Sequence, residues 1–120
     1  MQSVSSNAVA QYLKFQTNSS SYFVNNDTSH TFSNIVPNDG NKYMVFITVI
    51  FIPYYGPLGN GYCSLGGTEQ ERFNIQHGYR DWSTGTGFCI TDSGLSPTVN
   101  WSQVANNSVV KVVASYSKII

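Results

Sequence analysis

Few residues in this chain are of types that do chemistry, and their spacing matches no catalytic motif. His30 and His77 are the two imidazoles, and His77 opens the run His77-Gly-Tyr-Arg-Asp-Trp82. Asp81, Asp92, Glu69 and Glu71 are the carboxylates from which a glycosidase pair would have to be drawn. No nucleophile elbow, zinc-protease helix, P-loop or dinucleotide glycine fingerprint accompanies them. Asp39 and Asp92 fall in turn sequences, and the remaining acids read as surface residues. Asn38-Asp39-Gly40-Asn41 has oxygen ligands but lacks the periodic carboxylates and distal Glu of a calcium loop, so it reads as a β-turn. Cys63 and Cys89 are too far apart for a zinc or thioredoxin pair and read as two buried thiols. The expectation is a non-enzymatic chain with no catalytic residue, metal or cofactor.

Binding chemistry is better represented. Tyr54 and Tyr55 lie between Pro53 and Gly56-Pro57, and Tyr79 and Trp82 flank Arg80 and Asp81 just after His77. Rigid aromatic rings offer contact area at low ordering cost, while neighbouring polar groups fix orientation. Such a set suits a sugar, whose C–H face stacks on a ring while its hydroxyls bond to Asp, Arg, Asn or His. It suits a protein epitope equally, and the bland alternative is that the rings cap the ends of a core with their polar tips in water. Tyr54, Tyr55, His77, Tyr79, Arg80, Asp81 and Trp82 are the candidate ligand-binding residues.

The elements that must position these residues are short strands. Tyr22 to Val24, His30 to Val36, Lys42 to Ile52, Gly61 to Leu65, Arg72 to His77, Gly87 to Thr91, Thr98 to Trp101 and Val109 to Ser117 carry the strand pattern. Turn residues separate them at 37–41, 53–57, 59–61, 66–67 and 93–94. Regularly spaced short strands without intervening helix predict an all-β, antiparallel, jelly-roll-like β-sandwich over 22–120. Lys42 to Ile52 is apolar on both faces for much of its length, so it is expected to be covered on both sides, by a loop or by a neighbouring subunit.

Residues 1–15 follow a different rule. Met1, Val4, Ala8, Gln11 and Phe15 recur at alternating spacings of three and four, the seam of a coiled coil with one polar position. Two heptads do not hold a helix alone in water. The segment therefore needs either its own β domain or identical neighbours, and the polar stretch 16–21, which reads as a linker, favours the neighbours. The expected organisation is a helical neck (1–15), a linker (16–21) and a β-sandwich head (22–120).

The chain has 120 residues, 41% hydrophobic and 10% charged, with six basic and six acidic side chains and zero formal charge. Charged residues ordinarily make up about 25% of a domain. The solvated surface must therefore be built from Ser, Thr and Asn, and no field is available to attract nucleic acid or anionic lipid. Met1 is followed by Gln-Ser-Val-Ser-Ser-Asn rather than a basic and then apolar start, so no export signal is expected. The longest apolar run, Met44–Ile52, is about half of what a membrane-spanning helix needs. Nucleic acid and membrane insertion are both disfavoured.

Val4-Ser-Ser-Asn-Ala-Val-Ala-Gln-Tyr-Leu13 resembles the helical segment that precedes a small C-terminal β domain in tail-fibre and baseplate appendage proteins of tailed phages and prophages. Val109–Ile119 is similar to the closing strand of such domains, and together the two cover about a fifth of the chain. The resemblance implies a homotrimeric fibre tip carried on an upstream shaft, assembled in the host cytoplasm and residing in the virion. It further implies that the head binds a host cell-surface glycan or surface protein. It supplies no binding residues. Two other classes stand beside it: a structural module that trimerises and caps a fibre without recognising anything, and a carbohydrate-binding or depolymerising domain of a cell-wall enzyme.

Overall fold

Alternating apolar residues force most of the chain into paired strands. A computed structural model describes residues 14–54, 59–65, 72–77, 83–102 and 104–119, with backbone alone at 59, 60 and 72–77. Among the described residues eight strands form: β1 (Gln16–Phe23), β2 (Ser29–Thr31), β3 (Tyr43–Ile52), β4 (Gly59–Ser64), β5 (Arg72–His77), β6 (Ser83–Thr91), β7 (Thr98–Trp101) and β8 (Val109–Lys118). They make two four-stranded antiparallel sheets, ordered β1-β8-β3-β6 and β2-β7-β4-β5. Only β4 and β5 are neighbours both in sequence and in a sheet. This interleaving is the connectivity of a jelly roll. Among the described residues there is no helix.

The strict period of two along β3 and β8 sets the core. Val45, Ile47, Val49 and Phe51 point inward from β3, and Val110, Val112 and Ala114 from β8. They meet Cys63, Val99 and Trp101 of the second sheet in one buried cluster. The closest approach is at Gly61. A Cβ there would stand 2.5 Å from the Asn100 carbonyl oxygen and 2.8 Å from Cζ of Phe51. Gly59-Asn60-Gly61, which reads as a turn in the sequence, is therefore the first half of a strand whose glycine admits a facing ring.

Three further boundaries differ from expectation. The predicted linker 16–21 belongs to β1, which pairs with β8 from Gln16↔Tyr116 to Phe23↔Val109. An edge strand is held by its backbone ladder and leaves most side chains in water, so a Ser/Asn-rich sequence suits it. Asn18 adds a bond from Nδ2 to the Ile35 carbonyl (3.1 Å). The strand predicted over 30–36 ends at Thr31, because Asn34 turns the chain through a left-handed conformation (φ 52°) and bonds from its backbone N to Ser96 Oγ at 2.8 Å. Third, β6 begins at Ser83 rather than at Gly87.

Met1, Val4, Ala8 and Gln11 of the predicted neck lie outside the described residues. The fifth seam residue, Phe15, precedes β1 and its ring lies 6.0 Å from that of Phe46.

The turn before β3 shows how little charge the fold uses. Asp39 accepts from the Asn41 backbone N (3.1 Å) and from Tyr43 Oη (2.7 Å), with Gly40 at φ 83°. The Tyr43 bond, then the Asn41 amide, hold the Asp39 carboxyl below its ordinary value. A depressed carboxylate stabilises the fold above its unfolded pKa, and that contribution disappears as pH falls through the folded value. Asp39→Asn should therefore flatten the loss of stability between about pH 5 and pH 2, as read by urea midpoints across that range. Equal acid sensitivity in both proteins would contradict the assignment.

Neither cysteine is in a disulfide; Cys63 is buried and Cys89 half-buried. Burial, helped by Cys89, pushes the Cys63 thiol up to about 12. Only about one molecule in ten thousand carries the thiolate at pH 8, so Cys63 should resist a disulfide-exchange reagent until the protein is unfolded. Prompt native-state labelling of Cys63, located by peptide mass, would contradict this.

Candidate functional site at the loop end of the sandwich

The strand register sorts the connections between the two ends of the sandwich. Phe23, Ile52 and Val109 stand side by side at one end, where Phe51 also faces Ser83. In the second sheet Gly59 faces His77, Gly61 faces Trp101 and Ser29 faces Asn100. A bond from the Trp101 backbone N to the Thr28 carbonyl (2.8 Å) joins this group to the β1–β2 connection. The connections β1–β2, β3–β4, β5–β6 and β7–β8 all leave from this end. Gln16, Tyr43, Thr91 and Lys118 define the opposite end, where the chain enters β1 and leaves β8.

The described members of the two predicted aromatic clusters, Tyr54 and His77, thus belong to connections that leave from one end. Tyr54 is in the β3–β4 connection and His77 is the last residue of β5, described in its backbone. Tyr55, Tyr79, Arg80, Asp81 and Trp82 lie outside the described residues, in the connections that start from Ile52 and His77. Tyr54 is 69% exposed, so it is not a cap on the core. Its backbone N donates to Ser108 Oγ (3.0 Å), which anchors the start of this loop to the β7–β8 connection while the side chain faces solvent.

At the same end, between the β1–β2 and β7–β8 connections, is a hydrogen-bonded floor that the sequence reading missed. Asn26 and Asn106, eighty residues apart, are doubly bonded: the Asn26 backbone N donates to Asn106 Oδ1 (2.7 Å), and Asn106 Nδ2 donates to Asn26 Oδ1 (2.9 Å). Asn26 and Asn107 both take left-handed backbone (φ 58° and 70°), which asparagine tolerates better than most residues. Asp27 ties the floor to the core. Its carboxylate accepts from the Asn25 backbone N (3.0 Å) and from Tyr22 Oη, and its carbonyl accepts from Trp101 Nε1 (2.9 Å). Tyr22 in turn stacks on His30 at 3.9 Å between ring centroids. The sequence signal was present as asparagine pairs at 25–26 and 106–107, but only the fold shows that they meet.

This end therefore offers an exposed ring and a hydrogen-bonded pair of amides, with one carboxylate already engaged in hydrogen bonds. Stacking and hydrogen bonding are the interactions it supports. Among the described residues no cluster of His, Cys, Asp and Glu has metal-site geometry, and no helix is long and apolar enough to cross a membrane.

No protein-family model matches the chain, and no curated protein matches it. Among solved structures it is similar to a chain of the virus-like particle of the extra small virus of the giant freshwater prawn Macrobrachium rosenbergii. That likeness has 8% identity over 87% of this chain and 79% of the other, with a TM-score of 0.39. Such values assign neither fold nor function.

Proposed function

We propose that this chain is the non-enzymatic receptor-binding head at the tip of a tailed-phage fibre, a homotrimer that binds a host cell-surface glycan through the loop end of its sandwich. One observation carries the reading: the chain enters at one end of the jelly roll, and the connections bearing Tyr54, Tyr55 and the 77–82 cluster leave from the other. A head held on a shaft through residues 1–15 turns its aromatic loops outward. Three copies on one axis gain avidity on a repeating polymer without any new contact. A surface poor in charge depends little on salt, and it favours neutral glycans over acidic ones.

The test is binding of the full chain to immobilised neutral bacterial cell-wall and capsular glycans and to whole cells. Tyr54→Ala should weaken a saturable signal by about ten- to thirty-fold, the size of loss typical when a central aromatic is truncated. Its unfolding midpoint should stay unchanged, because the ring is in water. A second reading, a fibre-capping module that recognises nothing, draws support from the exposed apolar sheet face treated below. It predicts no saturable signal on any surface.

A further inference from the structure

The outward face of sheet β1-β8-β3-β6 is apolar where the sheet of a monomer should be wet. Phe46 (51% exposed) and Phe88 (46%) face each other across β3 and β6, with ring centroids 5.0 Å apart. Ile90 (57%) stands opposite Met44 on the same two strands. Phe15 reaches this band from the β1 side, 6.0 Å from Phe46. The residues of β8 near the crossing, Ser115 and Ser117, are small. Lys111 is the one charged side chain among the outward positions of the four strands. The band occupies the half nearest the chain's entry, and Thr48, Thr84 and Thr86 separate it from a second apolar group at outward positions toward the loop end, Ile50, Ile52, Val109, Val113 and the 67% exposed Phe23.

We infer that this half-face, Phe15, Met44, Phe46, Phe88 and Ile90, is the contact between copies of this chain, so that the head itself holds the oligomer; the inference rests on the oligomer proposed above and specifies where it is made. Three observations select a second copy as the occupant. First, the half-face carries no charged side chain, since Lys111 lies opposite Ile50 in the other half, so it meets its own copy without charge repulsion. Second, the outward face, four strands about 4.8 Å apart and about 30 Å long, presents roughly 600 Å² in projection, of which the band takes about half. Side chains enlarge the whole face toward the ~800 Å² per partner of a standard interface, and an exposed apolar patch of about 300 Å² is of the size that often marks a functional surface. Third, the band is continuous with the proposed neck: Phe15, the last seam residue, is already seated in it. The rim is polar, with the exposed Lys42–Asp92 pair (3.3 Å) at the same end, which matches the apolar centre and wet margin of a specific interface.

The experiment is the mass of the full chain by size exclusion with light scattering, over nanomolar to micromolar concentrations. The expected result is a multiple of the 13.2 kDa chain for the wild type. Phe88→Asp with Ile90→Lys should raise the dissociation constant at least ~10-fold, with far-UV strand signal and urea midpoint retained. Should that double variant fail to fold, Ile90→Lys alone, at an exposed edge-strand position, gives the same readout. An unchanged oligomer in a folded variant overturns the inference while leaving a neck-held trimer standing. A monomeric wild type overturns both. In a monomer, protection of residues 1–13 from protease that is lost in the variant would identify the chain's own N-terminal segment as the cover.

Discussion

Phe51→Ala is expected to lower stability by about 3–5 kcal/mol, the range for emptying a buried phenylalanine site. That is a large part of the roughly 5–15 kcal/mol that holds an ordinary domain. The ring is 1% exposed, the largest of the fully buried side chains, and lies between the two sheets above Gly61. The surrounding side chains are anchored on paired strands on both sides, so the cavity has little scope to collapse. Urea unfolding followed by tryptophan fluorescence, with Trp101 in the same core, measures the loss directly. A change below about 1 kcal/mol, typical of a surface substitution, would show that Phe51 does not bridge the sheets.

Gly61→Ala should be nearly as damaging, although it adds a single methyl. The new Cβ would lie 2.5 Å from a backbone oxygen and 2.8 Å from the Phe51 ring, both inside van der Waals contact. The ring can rotate away, but the Asn100 carbonyl belongs to the adjacent strand β7 and cannot move without opening the β4–β7 ladder. Overpacking of this kind costs about 1–3 kcal/mol, and the upper part of that range is expected here. Phe51→Leu in the same chain relieves only the ring clash, so the double variant should recover part of the loss and leave the carbonyl clash in place. Full additivity of the two changes would contradict the shared contact.

These two positions also show how far the sequence could be read. Strand β3 was legible as a nearly continuous apolar run between turn residues; that Tyr43, Val45, Ile47, Val49 and Phe51 make its buried face was not. Gly61 was legible only as a turn residue, since nothing in Gly59-Asn-Gly61 reveals the facing ring. Strand β1 was taken for a linker because an edge strand of Gln, Thr, Asn and Ser carries no burial pattern; β8 supplies its order through the backbone. The doubly apolar character of Lys42 to Ile52 was visible, but the exposure of Phe46 beside Phe88 depends on a register that sequence does not specify.

For the candidate site, the aromatic residues were identifiable by type and loop context. That the connections carrying them leave from one end was not. It follows from the interleaved strand order, which brings the connections after β3 and β5 beside those after β1 and β7. The Asn26–Asn106 pairing at the same end joins positions eighty residues apart and has no local signature. Phe15 was placed in a helical seam from its spacing, and its ring is found against the sheet face.

Recognition by the loop end is tested most directly by measuring full-chain binding to the neutral glycan set and to whole cells, wild type against Tyr54→Ala, beside the Phe88→Asp, Ile90→Lys variant. A distal binding end predicts a saturable wild-type signal, a ten- to thirty-fold weaker one for Tyr54→Ala, and a loss of avidity alone for the sheet-face variant. Absence of saturable binding, or binding that Tyr54→Ala leaves unchanged, would contradict it.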